Sequence, residues 1–211
     1  MAGYHEAHLT PNPARWVVWA TVAEHLSQYV PPGAAVLEIG AGYCDWINHV
    51  RAARRVAVDI WPELPAYAAA GVEPVVLDVT RDLRSLGAAS FDVILASNVL
   101  EHFSADDLAG VADDLHGLLR SGGRLVVIQP NFRYASRQYF DDYTHRSVFT
   151  HVSLPALLRA HGFHIVEVRP KFLPYSMREA RVPITPFLVR AYLASPVKPL
   201  AGQMLVVATK G

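Results

Sequence analysis

The residues able to do chemistry fall into three groups. Glu38-Ile39-Gly40-Ala41-Gly42 sets a carboxylate two positions ahead of a turn whose glycines remove side chains where the backbone bends sharply. Asp59 lies nineteen positions after Gly40 at the end of an apolar run, where a carboxylate can accept hydrogen bonds from both hydroxyls of a ribose; Ile60 and Trp61 beside it offer an apolar face to a base. The third group is a pair of histidines next to acids. His102 closes Leu100-Glu101-His102, and His145 closes Asp141-Asp142-Tyr143-Thr144-His145. A neutral imidazole takes up a proton near neutral pH, and Asp141 or Asp142 bonded to one ring nitrogen of His145 would leave the other for a substrate, the arrangement of a general base and its orienter. His145 is the expected base, Asp142 its partner, and His102 a positioning residue.

The elements that must hold these groups follow from periodicity. Ala35, Val36, Leu37 and Ile39 suit a short strand buried on both faces, and Asp45, Trp46, Ile47, Val50 and Ala53 recur at helical spacing after the glycine turn. Strand, glycine turn and helix in that order make a nucleotide-cofactor site, with the helix N–H groups facing the loop mouth. A dinucleotide fingerprint requires a third glycine three positions after Gly42, but Asp45 stands there, which argues against a nicotinamide oxidoreductase. Further strands are expected at 55–60, 73–79, 91–98, 124–130, 163–168 and 204–209. Helices are expected from Thr10-Pro11 to Val30, over Pro62–Ala70, after Ser104, over Leu154–Ala160 and over Phe187–Ala194.

Three phrases resemble a known family. Glu-x-Gly-x-Gly at the end of a first strand resembles motif I of the class I methyltransferases that use S-adenosylmethionine (SAM), with Cys44 where that family often has a small residue. Phe91-Asp92-Val93-Ile94-Leu95 running on to Leu100-Glu101-His102 resembles their motif IV, and Gly122-Gly123-Arg124-Leu125 before the fifth strand is also similar. The resemblance spans residues 31–210. It implies an α/β fold, a doubly wound, Rossmann-like sheet of seven strands with the last antiparallel, and SAM as cofactor. On it, Glu38, Gly40, Ala41 and Gly42 form the cofactor loop, Asp59 and Ile60 meet the ribose and adenine, and Asp78 with the backbone at Val79 reads the adenine ring. Ser97 and Asn98, at a strand end, face the methionine portion and the acceptor together with His102. Asp78 has a second use as a turn residue before Thr80.

The remaining sequence bounds the acceptor. With 211 residues and 52% hydrophobic composition, one domain can bury a full core. Lysine plus arginine equals aspartate plus glutamate at 19 each, so no net field attracts a nucleic acid. No basic leader and no run of about 18 apolar residues appears, so stable membrane insertion is not expected and the reading is a soluble, cytoplasmic protein. A single cysteine, Cys44, excludes an internal disulfide and a thiolate metal cluster. Residues 131–151 are irregular, aromatic and rich in ionisable groups, suiting an acceptor-binding segment for a small molecule, with a sugar or natural-product hydroxyl favoured. Residues 1–30 are expected to supply a helix and a lid (Tyr4 to Trp19). Residues 171–203 form a proline-rich insertion whose apolar helix packs internally, covers the acceptor, touches a lipid or forms a homodimer contact. A SAM-binding regulator without catalysis is the alternative function. No metal is expected, because the adjacent side chains of Asp141 and Asp142 diverge.

Overall fold

The computed structural model describes residues 13–175 and 184–211. The expected helix start at Thr10-Pro11, most of the Tyr4–Trp19 lid and the middle of the 171–203 insertion lie outside the described residues. Seven strands form one sheet: β1 (Ala35–Ile39), β2 (Arg54–Asp59), β3 (Val72–Val76), β4 (Phe91–Ser97), β5 (Leu119–Pro130), β6 (Phe163–Pro174) and β7 (Ala201–Lys210). Their order is β3-β2-β1-β4-β5-β7-β6. β1 to β5 pair in parallel, and β7 runs antiparallel to both β5 and β6, as expected for the last strand. The strand order reverses between β1 and β4, the switch point outside whose carboxyl ends open α/β sheets bind ligands.

Both faces of the sheet are covered, which is why β1 is buried along its whole length. One face sends Leu37, Ile39, Ile94 and Leu125 into a core with Leu108, Val111, Leu115 and Leu118 of α2 (Ala105–Leu118) and Leu154 and Leu158 of α4 (Ser153–Ala160). The other packs Val36, Leu95, Val126 and Leu205 against Val18, Val22 and Leu26 of α1 (Pro13–Leu26), with Trp46, Ile47 and Phe172. α2 begins where the sequence places it: Ser104 accepts the Asp107 N–H at 3.2 Å, and Asp106 and Asp107 sit in the first turn.

Besides shifts of a few residues at strand and helix ends, three elements depart from the sequence expectation, each for a local reason. The helix expected over Asp45–Ala53 does not form; residues 42–49 make successive turns, because Gly42 (φ +49°) and Cys44 (φ +58°) are both left-handed and cannot start a helical ladder. Trp46 and Ile47 still bury at the expected positions. The helix expected over Pro62–Ala70 shrinks to one 3₁₀ turn, Leu64–Ala66, since Pro65 inside it has no N–H to donate. β6 extends to Pro174, through bulges against β7, and so takes up the start of the expected insertion. The insertion's helix, α5 (Pro186–Ala194), packs on α1, with Arg190 and Glu24 paired at 2.8 Å between them. A short α3 (Phe132–Ala135) and a 3₁₀ turn, Tyr139–Asp141, are the regular structure in the 131–151 segment.

Candidate active site

The glycine turn is held by carboxylates from below and from the side. Glu38 is buried, and its Oε2 accepts the Ile47 N–H at 2.9 Å, so what it grips directly is the far side of the loop. Burial, with the negative charges of Asp45 and Asp59 nearby, pushes its carboxyl well above the usual glutamate range. Asp59, at the end of β2, accepts the Gly42 N–H on Oδ2 at 2.8 Å and the Trp61 N–H on Oδ1 at 2.9 Å. The Ala41 N–H goes to Val58 O at 3.0 Å. The loop mouth is therefore shaped by a carboxylate and backbone amides rather than by a helix terminus. Gly40 (φ +63°) admits no side chain: a Cβ there would lie 2.7 Å from Val99 Cγ2.

Around the end of β2 the structure gathers an aromatic group that sequence spacing does not reveal. Trp61 and Tyr67 stack with centroids 5.0 Å apart, and Tyr43 meets both edge-on at 5.2 and 4.7 Å. Tyr67 is drawn in by Asn48, whose Nδ2 donates to Tyr67 O and whose Oδ1 accepts the Ala69 N–H, each at 2.9 Å. Ile60 is exposed beside them, 47% accessible. β3 stops at Val76, short of the expected 79, so Asp78 lies two positions past the strand and takes its turn role: Oδ1 accepts from both the N–H and the hydroxyl of Thr80, at 2.9 and 2.7 Å, while Val79 is buried. Above the glycine turn, Arg15 of α1 donates through Nε and Nη2 to Asp45 Oδ2 at 2.9 and 2.7 Å, fastening the first helix to the loop.

The acceptor side lies beyond β4. Asn98 is left-handed (φ +51°), its N–H bound to Ile128 O at 2.8 Å and its Nδ2 donating to Ser97 Oγ at 3.2 Å, so both residues sit at the strand end as expected. Three residues later the carbonyl of Glu101 accepts the N–H groups of Arg146 and Ser147 at 2.8 and 3.0 Å, docking the 131–151 segment onto the end of β4. The Glu101 side chain is fully buried, neither carboxyl oxygen makes a hydrogen bond to protein, and burial pushes its pKa up to about 8.

The docked segment brings His102 and His145 together, ring centroids 5.0 Å apart, but divides the partners differently from the sequence expectation. His145 Nδ1 lies 2.6 Å from the carbonyl of Tyr139, and since a carbonyl only accepts, this nitrogen carries the proton. Asp142 Oδ2 stands 3.9 Å from His145 Nε2, too far for a hydrogen bond. Asp142 Oδ1 instead accepts the Thr144 hydroxyl at 2.6 Å, and Thr144 Oγ1 is 2.9 Å from His102 Nδ1. The one hydroxyl proton is committed to Asp142, so His102 Nδ1 must donate. The orienting acid reaches His102 through Thr144 rather than His145 directly. Asp141 is exposed and takes no part. Sequence assigned no site role to Thr144 or Tyr139, and Glu101 stood only as part of the Leu100-Glu101-His102 phrase. Only Thr144 had a signal, standing two positions after Asp142 where short side chains close local turns.

Strand-order reversal, glycine loop, β2 carboxylate and aromatic wall are together the features of a nucleotide-cofactor site in an α/β protein. A model of the family described as "Methyltransferase domain" matches residues 15–168, and the chain belongs to that family. No curated protein matches the chain. Among solved structures it is similar to a SAM-dependent methyltransferase from Archaeoglobus fulgidus (TM-score 0.66, 19% identity, covering 91% of this chain and 94% of that one). It is also similar to 1,6-didemethyltoxoflavin-N1-methyltransferase from Burkholderia thailandensis, determined with its ligand and S-adenosylhomocysteine (TM-score 0.61, 24% identity, 99% and 84% covered). A third likeness is to the Haloferax volcanii complex of the Trm112 methyltransferase activator with a methyltransferase (TM-score 0.68, 14% identity, 92% and 89% covered). The protein is a SAM-dependent methyltransferase. The donor set fits that cofactor: a loop bare of side chains at Gly40 and Gly42, a strand-end carboxylate for hydroxyls, and aromatic rings for a purine.

Proposed function

We propose that the protein methylates a hydroxyl oxygen of a small molecule, a sugar or natural product, and that a histidine of the 101–145 cluster removes the acceptor's proton. The observation that carries this reading is the chain from Asp142 through Thr144 to His102. It fixes the His102 tautomer with the proton on Nδ1, which leaves Nε2 as the basic nitrogen, and it sets a carboxylate to stabilise the imidazolium that forms. His102 is accordingly the base, and His145, held by the Tyr139 carbonyl, positions the segment.

On the cofactor side, the loop at Gly40-Ala41-Gly42 takes the methionine portion with Ser97 and Asn98, Glu38 braces that loop, and Asp59 holds the ribose. Asp78, Val79 and Ile60 border the adenine. Asp59 accepts the Gly42 and Trp61 N–H groups and so stands fixed at the end of β2, where a carboxylate can accept from ribose hydroxyls. Bound there, SAM supplies an electrophilic methyl carbon on a sulfonium. With SAM held there, the acceptor hydroxyl would be placed toward that methyl carbon, and His102 Nε2 would take the hydroxyl proton as the oxygen gains the methyl group from the sulfonium. Alignment contributes most of the acceleration, because a sulfonium methyl is intrinsically reactive. No helix among the described residues is long and apolar enough to cross a membrane. The solved Burkholderia relative is named for a small heterocycle, which supports a small acceptor here.

The test is a SAM turnover screen over hydroxylated metabolites, with mass detection of the methylated product. Product methylated on a small hydroxyl, with turnover dependent on His102, supports the reading. Saturable SAM binding with no acceptor turned over would favour the non-catalytic regulator.

A further inference from the structure

We infer that Glu101, His102 and His145 form a binding site for a divalent transition-metal cation. One potential ligand atom from each of the three lies within 4.8 Å of the others. A cation bound at about 2.0–2.2 Å to three such ligands holds them roughly 3.4 Å apart, a contraction that small side-chain rotations supply. The sequence expectation of no metal rested on the diverging pair Asp141 and Asp142. The structure gathers a different set, one residue from the segment after β4 and its neighbour, the third from the docked segment.

Two independent features single this cluster out. Glu101 is a fully buried carboxyl with no protein partner on either oxygen, an arrangement that costs free energy unless something in the site satisfies it. Each histidine is also arranged as a ligand. His145 donates from Nδ1 to the Tyr139 carbonyl, and His102 donates from Nδ1 to Thr144, itself bound to Asp142. Anchoring one ring N–H on a carbonyl or carboxylate-backed acceptor fixes the tautomer and raises the basicity of the other nitrogen, the pattern found around metal-bound histidines. Two imidazoles with one carboxylate suit zinc, cobalt, manganese, nickel or ferrous iron better than magnesium or calcium, which take oxygen ligands.

Cation binding is measurable without SAM or acceptor, so the site stands or falls apart from the proposed methyl transfer. A cation on His102 Nε2 occupies the lone pair assigned to the base. Loading should then depress turnover if His102 acts as a bare base, and turnover that requires the cation would replace the base assignment while keeping the site.

The experiment uses the full chain stripped with EDTA and titrated with Co²⁺, followed by visible absorption and calorimetry, with Zn²⁺ as competitor. One equivalent of Co²⁺ should bind with a ligand-field spectrum that Zn²⁺ abolishes. Glu101→Gln and His145→Ala should weaken binding at least a hundredfold, and Thr144→Val, which removes only the anchor of His102, by about ten- to a hundredfold. His161→Ala, whose ring pairs with Asp113 at 2.7 Å on the surface, should bind as the parent does. Thermal melting confirms that each variant is folded, and Thr144→Val retains the test if Glu101→Gln does not fold. Absence of a one-to-one complex in the folded parent, or parent-like binding by Glu101→Gln or, where that variant does not fold, by Thr144→Val, would overturn the site.

Discussion

Asp59 Oδ2 accepts the Gly42 N–H at 2.8 Å while Oδ1 accepts the Trp61 N–H at 2.9 Å, so one carboxylate joins the end of β2 to the glycine turn and to the aromatic wall. Removing it takes away two charge-assisted bonds in the apo protein and, on the proposed reading, the ribose contact. Asp59→Ala should weaken SAM binding ten- to a hundredfold, matching about 1.5–3 kcal/mol for hydrogen bonds to a charged group, and should lower the melting temperature as well. Calorimetry with SAM and a thermal melt read the two effects. A folded variant with parent-like SAM affinity would take Asp59 out of the cofactor site.

Gly40 sits at φ +63° with Val99 against it, and an added Cβ would come within 2.7 Å of Val99 Cγ2 and 2.9 Å of Val99 Cβ. Gly40→Ala therefore suffers twice, from a left-handed backbone worth roughly 1–2 kcal/mol and from a collision between the loop and the segment after β4. The expected outcome is a destabilised protein with SAM binding lost, its far-UV circular dichroism largely retained. Adding Val99→Ala should recover part of the stability. Parent-like melting of Gly40→Ala would show that the loop is not packed this way.

Most of the fold was legible because the central strands β1 and β4 are compact apolar runs, and a sheet buried on both faces demands such runs at its centre. What misled was helix periodicity around the glycine turn. Asp45, Trp46, Ile47 and Val50 have helical spacing because they line one side of a coiled loop that must still bury Trp46 and Ile47, while left-handed Gly42 and Cys44 forbid the helix itself. The histidine pair was visible by residue type. Its partners were not, because Asp142 and Thr144 meet His102 across 40 and 42 positions of chain, through a segment docked on the Glu101 carbonyl. Spacing within Asp-Asp-Tyr-Thr-His favoured His145; the turn it forms hands the acid to the other ring.

Glu38 supplies a pH signature for the loop. Its carboxyl is raised in the folded state, first by burial and then by Asp45 and Asp59, so the fold favours the neutral form. Stability from this group is complete below the ordinary glutamate value of about 4.3 and is lost as pH climbs toward the raised folded value, at up to about 1.4 kcal/mol per pH unit. Glu38→Gln keeps an oxygen for the Ile47 N–H and has no charge to bury. Denaturant titrations across that window should show a flatter pH dependence for the variant, with the variant gaining on the parent as pH rises. A parallel pair of curves would mean that Glu38 is ionised in the fold without penalty.

The division of labour between the histidines yields the sharpest kinetic prediction. Asp142 reaches His102 through the Thr144 hydroxyl at 2.6 and 2.9 Å, whereas His145 turns Nδ1 to the Tyr139 carbonyl at 2.6 Å. If His102 takes the proton, His102→Ala should lose about 10² to 10⁴ in kcat with SAM affinity nearly unchanged, the usual worth of general-base catalysis. Thr144→Val cuts the link to Asp142 without touching the imidazole, so it should lower kcat less and shift the acidic limb of the kcat pH profile downward, because the imidazolium loses its carboxylate support. His145→Ala should act chiefly through KM for the acceptor, as expected of a residue that pins the acceptor segment. If His145→Ala instead abolishes kcat while His102→Ala leaves it at the parent value, the acid–threonine–histidine chain positions the loop and His145 carries the proton.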